Sequence, residues 1–370
     1  LLDEIHVSLD PSRPVGELSL NEQQIVEICR ALASRPRVLV FDEPTASLND
    51  DQVGHLLAII RKLKASGLGI IYVSHRLGEV LDISDRVTVL RDGRVIGTRE
   101  IAGLDEASLV SMMVGREHKP GQTAYRERRF GDIALETRAI GKSGAFDDVS
   151  IEVRAGEIVG IAGLLGCQRE AVVRAIFGAT GIDRGEIRVR GATVPLRSPR
   201  DAIASGLGFM PADRKGEGLV LSMNVGDNLS LTTLRRSSRF GFLGRGRRNA
   251  AAAQLVRKLA IKVSGLGQLA SQLSGGNQQK IVIGKWIARG GDIVIAEDPT
   301  RGVDVGAKFE IWRAIQELAE EGKAVLLLTT ELQEMMDACD RILVMSRGRV
   351  TGHFRREEFS AEAIAHCFVA

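Results

Sequence analysis

The feature that most constrains this chain is an internal repeat, in which one series of short motifs recurs 255 positions later. The corresponding segments are residues 18–24 (LSLNEQQ) with 273–279 (LSGGNQQ), 38–45 (VLVFDEPT) with 293–300 (IVIAEDPT), 84–86 with 339–341, and 91–94 with 346–349. The spacing between the motifs is the same in both copies. An unbroken register over this length predicts one fold that is repeated in tandem.

The second copy combines a glycine turn with a strand that ends in carboxylates. The turn Ser274-Gly275-Gly276 opens a predicted helix, whose first N–H groups and positive dipole end can bind an anion. Ser274 can cap this helix and donate to a phosphate oxygen, and the glycines allow the backbone to approach a phosphate closely. The following apolar run ends at Glu297 and Asp298, a pair suited to Mg²⁺ binding and water activation. These features together predict a phosphate and Mg²⁺ site.

A glycine-rich loop at residues 160–169 lies between a predicted strand and a predicted helix of the second copy. The equivalent of this loop in the first copy falls before residue 1, because the offset of 255 is larger than its residue number. The chain also begins at Leu1 without a methionine. We therefore expect a fragment, or a gene product truncated at its start, whose first copy has lost its phosphate loop.

Composition restricts the protein class. The net charge is +3 with both signs mixed, which predicts no general affinity for nucleic acid. The four cysteines have no paired spacing, which favours reduced cytosolic thiols over disulfides or a zinc site. No secretory signal opens the chain, and no apolar run approaches the roughly 20 residues that cross a membrane. We expect a soluble or peripheral protein on the cytoplasmic side.

The motifs resemble those of the ATP-binding cassette (ABC) ATPases, in which LSGGNQQ is similar to the signature and the apolar strand with its carboxylates is similar to Walker B. Three details resemble the sugar-type (monosaccharide) importer ATPases that carry two cassettes in one chain. They are the first signature ending in Glu22-Gln23-Gln24, the DRK loop at 213–215 followed by GLV at 218–220, and PTRGVDVG at 299–306.

This resemblance implies an α/β fold, a P-loop NTPase-like cassette repeated in tandem with the first copy incomplete. Each cassette would have a parallel-sheet core, a helical subdomain and an antiparallel β region. Residues 1–115 are assigned to the C-terminal part of the first cassette. A charged linker with Pro120 and Gly121 would occupy 116–132, and the second cassette 133–370, with its helical subdomain at about 220–273.

The resemblance also assigns roles to residues of the first copy, with ATP and Mg²⁺ as cofactors. Asp42 would hold Mg²⁺ through water, Glu43 would orient or deprotonate the attacking water, and His75 would contact the γ-phosphate. In the family, two cassettes sandwich two ATP molecules head to tail, so this Walker B would face the second signature. The signature residues expected to contact nucleotide are Ser274, Gly275, Gly276, Asn277 and Gln278 in the second copy and Ser19 in the first.

The phosphate loop of the second copy departs from the family pattern. The resemblance implies that Gly163, Gly166 and Arg169 contact nucleotide. Gln168 replaces the last glycine of the pattern, and Glu170 replaces the hydroxyl that binds Mg²⁺. Arg169 replaces the lysine and can still bind phosphate, as a larger planar fork. The carboxylate pair is inverted, so that Glu297 becomes the possible Mg²⁺ ligand. Thr330 stands where the first copy has His75. We predict that this site binds nucleotide weakly or structurally and hydrolyses little.

The function implied by the resemblance is ATP hydrolysis that drives import of a monosaccharide. Its partners would be integral membrane permease subunits and, through them, an extracytoplasmic sugar-binding protein, with no nucleic acid. The protein would lie peripherally at the cytoplasmic face of the cell membrane. Two alternatives remain: a soluble non-transport ABC protein that acts on ribosomes or DNA, and a non-hydrolysing truncated cassette protein. The sequence does not name the sugar, and a nucleoside or similar solute stays open.

Overall fold

The computed structural model describes residues 9–18, 20–45, 50–74, 76–91, 93–114, 125, 127–164, 166–234, 238–239 and 242–368. Contacts between Cα atoms divide the chain into two units, Leu1–Pro120 and Gly121–Ala370. The division falls inside the segment 116–132 that we predict to be a linker. Across the described residues, no helix combines the length and the apolar character needed to span a membrane.

The first unit is built from helices that pack on short paired strands. Its elements are α1 (Leu20–Ala33), β1 (Val38–Asp42), α2 (Asp50–Ala65), β2 (Gly69–Val73), α3 (Leu77–Ile83), β3 (Arg86–Arg91), β4 (Arg94–Glu100) and α4 (Glu106–Val114). Strands β1 and β2 pair in parallel, and β3 and β4 pair as an antiparallel hairpin. Helix α1 buries Ile25 and Ile28, one helical turn apart, among apolar side chains of α2 such as Ile59 and Leu56.

The second unit contains the larger core. Its strands are β5 (Ile133–Lys142), β6 (Phe146–Arg154), β7 (Ile158–Ala162), β8 (Arg184–Val189), β9 (Ala192–Thr193), β10 (Leu207–Met210), β11 (Ser238–Arg239), β12 (Phe242–Leu243), β13 (Ile293–Glu297), β14 (Ala324–Leu328), β15 (Arg341–Ser346) and β16 (Arg349–Arg355). Its α-helices are α5 (Arg169–Ile176), α6 (Pro199–Ala204), α7 (Val225–Ser230), α8 (Arg245–Lys258), α9 (Gly275–Arg289), α10 (Val305–Glu320), α11 (Leu332–Ala338) and α12 (Ala361–His366).

Six strands form the central sheet of the second unit in the order β10-β13-β14-β7-β15-β16. All neighbours are parallel except β15 and β16. Strands β7 and β14 are continuous apolar runs, and β13 is apolar up to its last residue, Glu297. All three are buried at every position, as expected for parallel strands covered on both faces. Because parallel strands end at the same edge, the loop after β7 and the carboxylates after β13 come to one side of the sheet.

A separate antiparallel sheet in the order β6-β5-β8-β9 lies in the same unit. The segment predicted as a helical subdomain, residues 220–273, contains α7 and α8 but also the hairpin β11–β12. The helical prediction is therefore incomplete there. A two-residue strand pair offers too few residues for the period-two pattern on which a strand prediction depends.

The limits of corresponding strands and helices in the two units differ by the same 255 residues as the sequence motifs. Strands β1, β2, β3 and β4 begin and end 255 residues before β13, β14, β15 and β16, and helices α2 and α3 do so before α10 and α11. The burial of the equivalent positions differs sharply. Val40 and Ile71, which are register partners, are 59% and 53% exposed, whereas Ile295 and Leu326 are fully buried. In the second unit β10 and β7 flank the β13–β14 pair, while the described first unit pairs β1 only with β2.

Candidate nucleotide-binding sites

The loop between β7 and α5 keeps two glycines that the backbone requires. A Cβ on Gly163 would lie 2.5 Å from the carbonyl oxygen of Met345, so no side chain fits there. Gly166 has a φ of 86° and Gln168 a φ of 75°, both in the left-handed region. For the glutamine this conformation costs about 1–2 kcal/mol relative to glycine. The loop thus keeps its glycine-like shape at Gln168 and is strained by the substitution.

Arg169, which replaces the lysine of the family pattern, points into the protein. Only 2% of the residue is exposed. Its Nη1 donates to the carbonyl oxygens of Thr329 at 3.0 Å and Ile161 at 3.4 Å, and its Nε donates to Glu170 Oε1 at 3.0 Å. The guanidinium that we predicted to bind phosphate is therefore occupied by two carbonyls and the neighbouring carboxylate.

Glu297 is the last residue of β13 and is paired with an arginine that no sequence motif indicates. Its Oε2 lies 3.2 Å from Nη2 of Arg174, on the second turn of α5. The same arginine makes two bonds to Glu217, at 3.1 and 3.0 Å. Burial raises the pKa of the Glu297 carboxyl, and the attraction of Arg174 only partly offsets this. The predicted Mg²⁺ ligand is thus buried beside a fixed cation.

The second carboxylate of each Walker B-like pair adopts an unusual backbone conformation. Glu43 has a φ of 47° and Asp298 a φ of 41°. Each donates its N–H at 2.8 Å to the last residue of the neighbouring strand, Val73 or Leu328. Asp298 also accepts at 2.8 Å from the N–H of Thr330, so its side chain is tied to the strand end. Non-glycine residues with positive φ concentrate at functional sites, which marks both positions.

The signature turn of the second unit differs from the expected capping arrangement. Ser274 is the N-cap residue of α9 by position, but its side chain makes no capping bond. Instead, Asn277 Nδ2 donates to Ser274 Oγ at 3.0 Å, while Asn277 Oδ1 accepts from the Lys262 N–H at 2.8 Å. The capping prediction is wrong because Asn277, one turn along, engages the hydroxyl.

Gln278, which we predicted to contact nucleotide, is buried within the second unit. It is 4% exposed, and its Nε2 donates at 3.0 Å to the carbonyl of Ala270. Gly275 and Gly276 stay at the start of α9, where a Cβ on Gly275 would lie 2.5 Å from Arg214 Nη2. The glycines here are required by close packing against the protein itself.

Arg214, from the DRK loop, connects this turn to the one that follows the carboxylates. Its Nη1 donates to the carbonyl of Arg301 at 2.6 Å, and its Nη2 donates to that of Gly302 at 2.9 Å. Desolvation by burial lowers the pKa of Arg214. The sequence contained a signal for this residue, since the loop carried part of the family resemblance, but it did not show the contacts.

In the first unit, Asp42 and Glu43 lie exposed at the carboxyl end of β1. Behind them Thr45 donates to Glu79 at 2.8 Å, as Thr300 donates to Glu334 at 2.8 Å in the second unit. Tyr72 also donates to Glu79, at 2.6 Å. The predicted residues Ser19 and His75 lie outside the described residues. The exposed carboxylates suit a hydrated Mg²⁺, which keeps several waters and needs only one or two protein carboxylates.

Comparison with known proteins decides the family. The model of the ABC transporter family matches residues 1–46 and 146–301, more than half of the chain. The chain belongs to the ABC transporter ATP-binding family. It is therefore an ABC-type ATPase, and this family binds ATP with Mg²⁺ and hydrolyses it. The α/β cassette expected from the motifs is confirmed.

Two curated ABC relatives are similar over nearly the whole chain. The putative ribose/galactose/methyl galactoside import ATP-binding protein 2 of Burkholderia cenocepacia is 45% identical over 98% of this chain and 71% of its own length. The ribose import ATP-binding protein RbsA 3 of Rubrobacter xylanophilus is 44% identical over 98% of this chain and 73% of its own length.

Solved ABC cassettes share the fold. The ADP conformation of MJ1267, an ATP-binding cassette of an ABC transporter, matches with a TM-score of 0.55 and 20% identity, over 65% of this chain and 100% of that one. The dimeric cassette MJ0796 bound to ADP and Pi matches with a TM-score of 0.52 and 21% identity, over 61% of this chain and 100% of that one.

Proposed function

We propose that this protein is the ATP-hydrolysing subunit that energises import of a monosaccharide through a membrane permease. The observation that carries the proposal is the 45% identity, over 98% of the chain, to a protein named for ribose, galactose and methyl galactoside import. The DRK loop and the PTRGVDVG segment, on which the sugar-type resemblance depends, are both present. The permease subunits, an extracytoplasmic sugar-binding protein and a peripheral position at the cytoplasmic membrane face belong to the same proposal.

The chain would carry two cassettes, of which the first is incomplete. Supporting this, the family model matches two separate segments, and the boundaries of six elements repeat at one offset. The domain limits of 1–115 and 133–370, with the linker at 116–132, stay predictions.

Hydrolysis would depend on the first unit. Asp42 would hold a hydrated Mg²⁺, Glu43 would orient or deprotonate the attacking water, and His75 would contact the γ-phosphate. What supports this assignment is the exposure of both carboxylates and the left-handed backbone at Glu43. Ser274, Gly275 and Gly276 would supply signature contacts to nucleotide, and the roles of Ser19 and Asn277 stay predictions.

The second cassette would bind nucleotide weakly or structurally and hydrolyse little. Supporting this, Arg169 is bonded to two carbonyls and to Glu170, and Glu297 is paired with Arg174. A phosphate or a metal would have to displace these internal partners. The strained Gln168 adds to the departure from a phosphate-binding loop.

Uptake of labelled ribose and galactose tests the proposal. The chain would be expressed in cells that keep the permease and lack their own ribose and galactose import ATPases. We expect uptake with the unmodified chain. The control variant Glu27→Gln, which changes an exposed carboxylate on α1, should also support uptake. Loss of the water-orienting carboxylate in Glu43→Gln should lower uptake at least about 10²-fold. Absence of uptake, with the chain recovered on ribosomes instead of membranes, would favour the non-transport alternative.

A further inference from the structure

One nitrogen atom in the second unit bridges two carboxylates from distant parts of the sequence. Nη2 of Arg174 lies 3.0 Å from Glu217 Oε2 and 3.2 Å from Glu297 Oε2. Arg174 comes from α5, Glu217 from the turn Arg214–Gly218 and Glu297 from the end of β13. A single cation between two carboxylate oxygens is the arrangement that a divalent metal makes in oxygen-rich sites.

The arginine is held in place by more than its ion pairs. Its guanidinium carbon lies 5.8 Å from the ring centre of Phe209, which stacks at 5.0 Å on Phe177. The turn that carries Glu217 is also fixed, since Asp213 accepts the N–H groups of Lys215 and Gly216 at 3.1 and 2.9 Å. The bridge is therefore a built part of the fold, and Arg174 cannot leave without breaking a cation–π contact and three bonds to carboxylates.

The other position that would face a metal also has its own cation. Glu170, which stands where the family has a metal-binding hydroxyl, is paired with Arg169 at 3.0 Å. A divalent ion entering here would have to displace two guanidinium groups from the carboxylates that would otherwise hold it. The side chains of this site therefore do not fit Mg²⁺, in contrast to the exposed carboxylates at Asp42 and Glu43.

We propose that Arg174 takes the place of the divalent metal at Glu297, so that the second cassette carries an arginine side chain where an active cassette carries Mg²⁺. This inference deepens the proposed low activity of the second cassette and rests on that proposal for its functional meaning. The second cassette would hydrolyse little ATP because Arg174 occupies the position that Mg²⁺ would take.

Manganese binding, followed by electron paramagnetic resonance in the full chain, tests this without sugar, permease or nucleotide. All chains carry Asp42→Asn and Glu43→Gln, which remove the carboxylates of the first unit. We expect no Mn²⁺ binding that depends on Glu297 while Arg174 is present. Arg174→Met, which keeps the hydrocarbon length, should gain about one equivalent of Mn²⁺, since two freed carboxylates suit a hard cation. Adding Glu297→Gln should remove the gain.

Two controls define the result. Arg174→Lys keeps the positive charge and should gain no Mn²⁺, and Arg313→Met, which breaks the exposed pair with Glu317, should also gain none. The inference is overturned if the chain with Arg174 intact binds Mn²⁺ and loses it with Glu297→Gln. It is equally overturned if folded Arg174→Met gains nothing. A failure of the sugar-uptake experiment would not change the Mn²⁺ binding of the chain with Arg174 or of Arg174→Met. The proposed import function and the proposed role of Arg174 can therefore be rejected independently.

Discussion

At the scale of single residues, the most informative positions depart from ordinary backbone or burial rules. Glu43 and Asp298 hold left-handed φ angles at equivalent places in the two units. Each angle costs about 1–2 kcal/mol for a residue with a Cβ, so the surrounding strands must stabilise it. The strain is kept in the second unit although its carboxylates are inverted. The two units therefore share this backbone conformation although the order of their carboxylates differs.

Lys285 provides a prediction about pH. Burial lowers the pKa of this lysine from 10.5 to about 8, and its Nζ donates to the carbonyl of Gly218 at 2.5 Å. Between pH 8 and 10.5 the unfolded chain binds this proton and the folded chain does not, so the stability of the folded state rises with pH. The free energy of unfolding of the parent chain should therefore rise relative to Lys285→Met, by about 1.4 kcal/mol for each pKa unit crossed.

Urea unfolding at several pH values, followed by tryptophan fluorescence, measures this difference. Both tryptophans, Trp286 and Trp312, lie in the second unit, so the signal reports that unit alone. Lys258→Met, at a partly exposed lysine paired with Glu321, should show no comparable change with pH. A parallel pH dependence in the parent chain and in Lys285→Met would contradict the prediction.

At the scale of elements, a buried ion pair attaches the start of the second unit to its central sheet. Arg128 Nη2 lies 2.8 Å from Asp340 Oδ2, and the two side chains are only 5% and 1% exposed. The same carboxylate oxygen accepts the N–H of Ile158 at 2.7 Å, so it also fixes the first residue of β7. The segment before β5 is thereby tied to the strand that leads into the phosphate loop.

Breaking this pair from one side should be costly. Arg128→Ala would leave Asp340 buried and unpaired, and we expect it to destabilise the second unit by about 3–5 kcal/mol in urea unfolding. Arg128→Met with Asp340→Asn removes both charges, and much of the stability should return. Arg313→Ala, at an exposed pair, should change stability by less than about 1 kcal/mol. Equal effects of the two arginine-to-alanine substitutions would show that Arg128 acts as a surface residue.

The sequence predicts elements better than it predicts contacts between them. Strands β1, β13 and β14 are continuous apolar runs bounded by polar residues, so their positions follow from local pattern. The bridge at Arg174 joins residues 43 and 123 positions away, and no local pattern connects them. For the same reason Gln278 looked like a signature residue, although the packing of α9 turns it inward. The motif predicts where the site lies, whereas the contacts of its residues follow only from the fold.

At the scale of the whole molecule, the open sheet of the first unit is the feature with the widest effect. The apolar side chains on β1 and β2 that are 45–59% exposed are Val38, Val40, Ile71 and Val73. Exposed parallel strands with apolar side chains can pair with another chain. We expect the isolated protein to self-associate as its concentration rises.

Sedimentation velocity measures this association. Val40→Lys with Ile71→Lys places charges on two register partners of β1 and β2 and should shift the protein towards monomer. Leu269→Lys, at an exposed apolar residue of the second unit, should leave the association unchanged. A parent chain that stays monomeric at every concentration would contradict the prediction, as would equal effects of the two kinds of substitution.

The position of β7 in the central sheet also affects folding during translation, because its two neighbouring strands are synthesised after it. This strand leaves the ribosome before its neighbours, yet it lies between β14 and β15, which end at Leu328 and Ser346. At about 5–20 residues per second, β7 waits roughly 10–40 s before both neighbours exist. During that interval the newly made chain presents Ile158–Ala162 without its final neighbours. A nascent cassette of this topology therefore exposes an aggregation-prone apolar strand until translation has nearly finished.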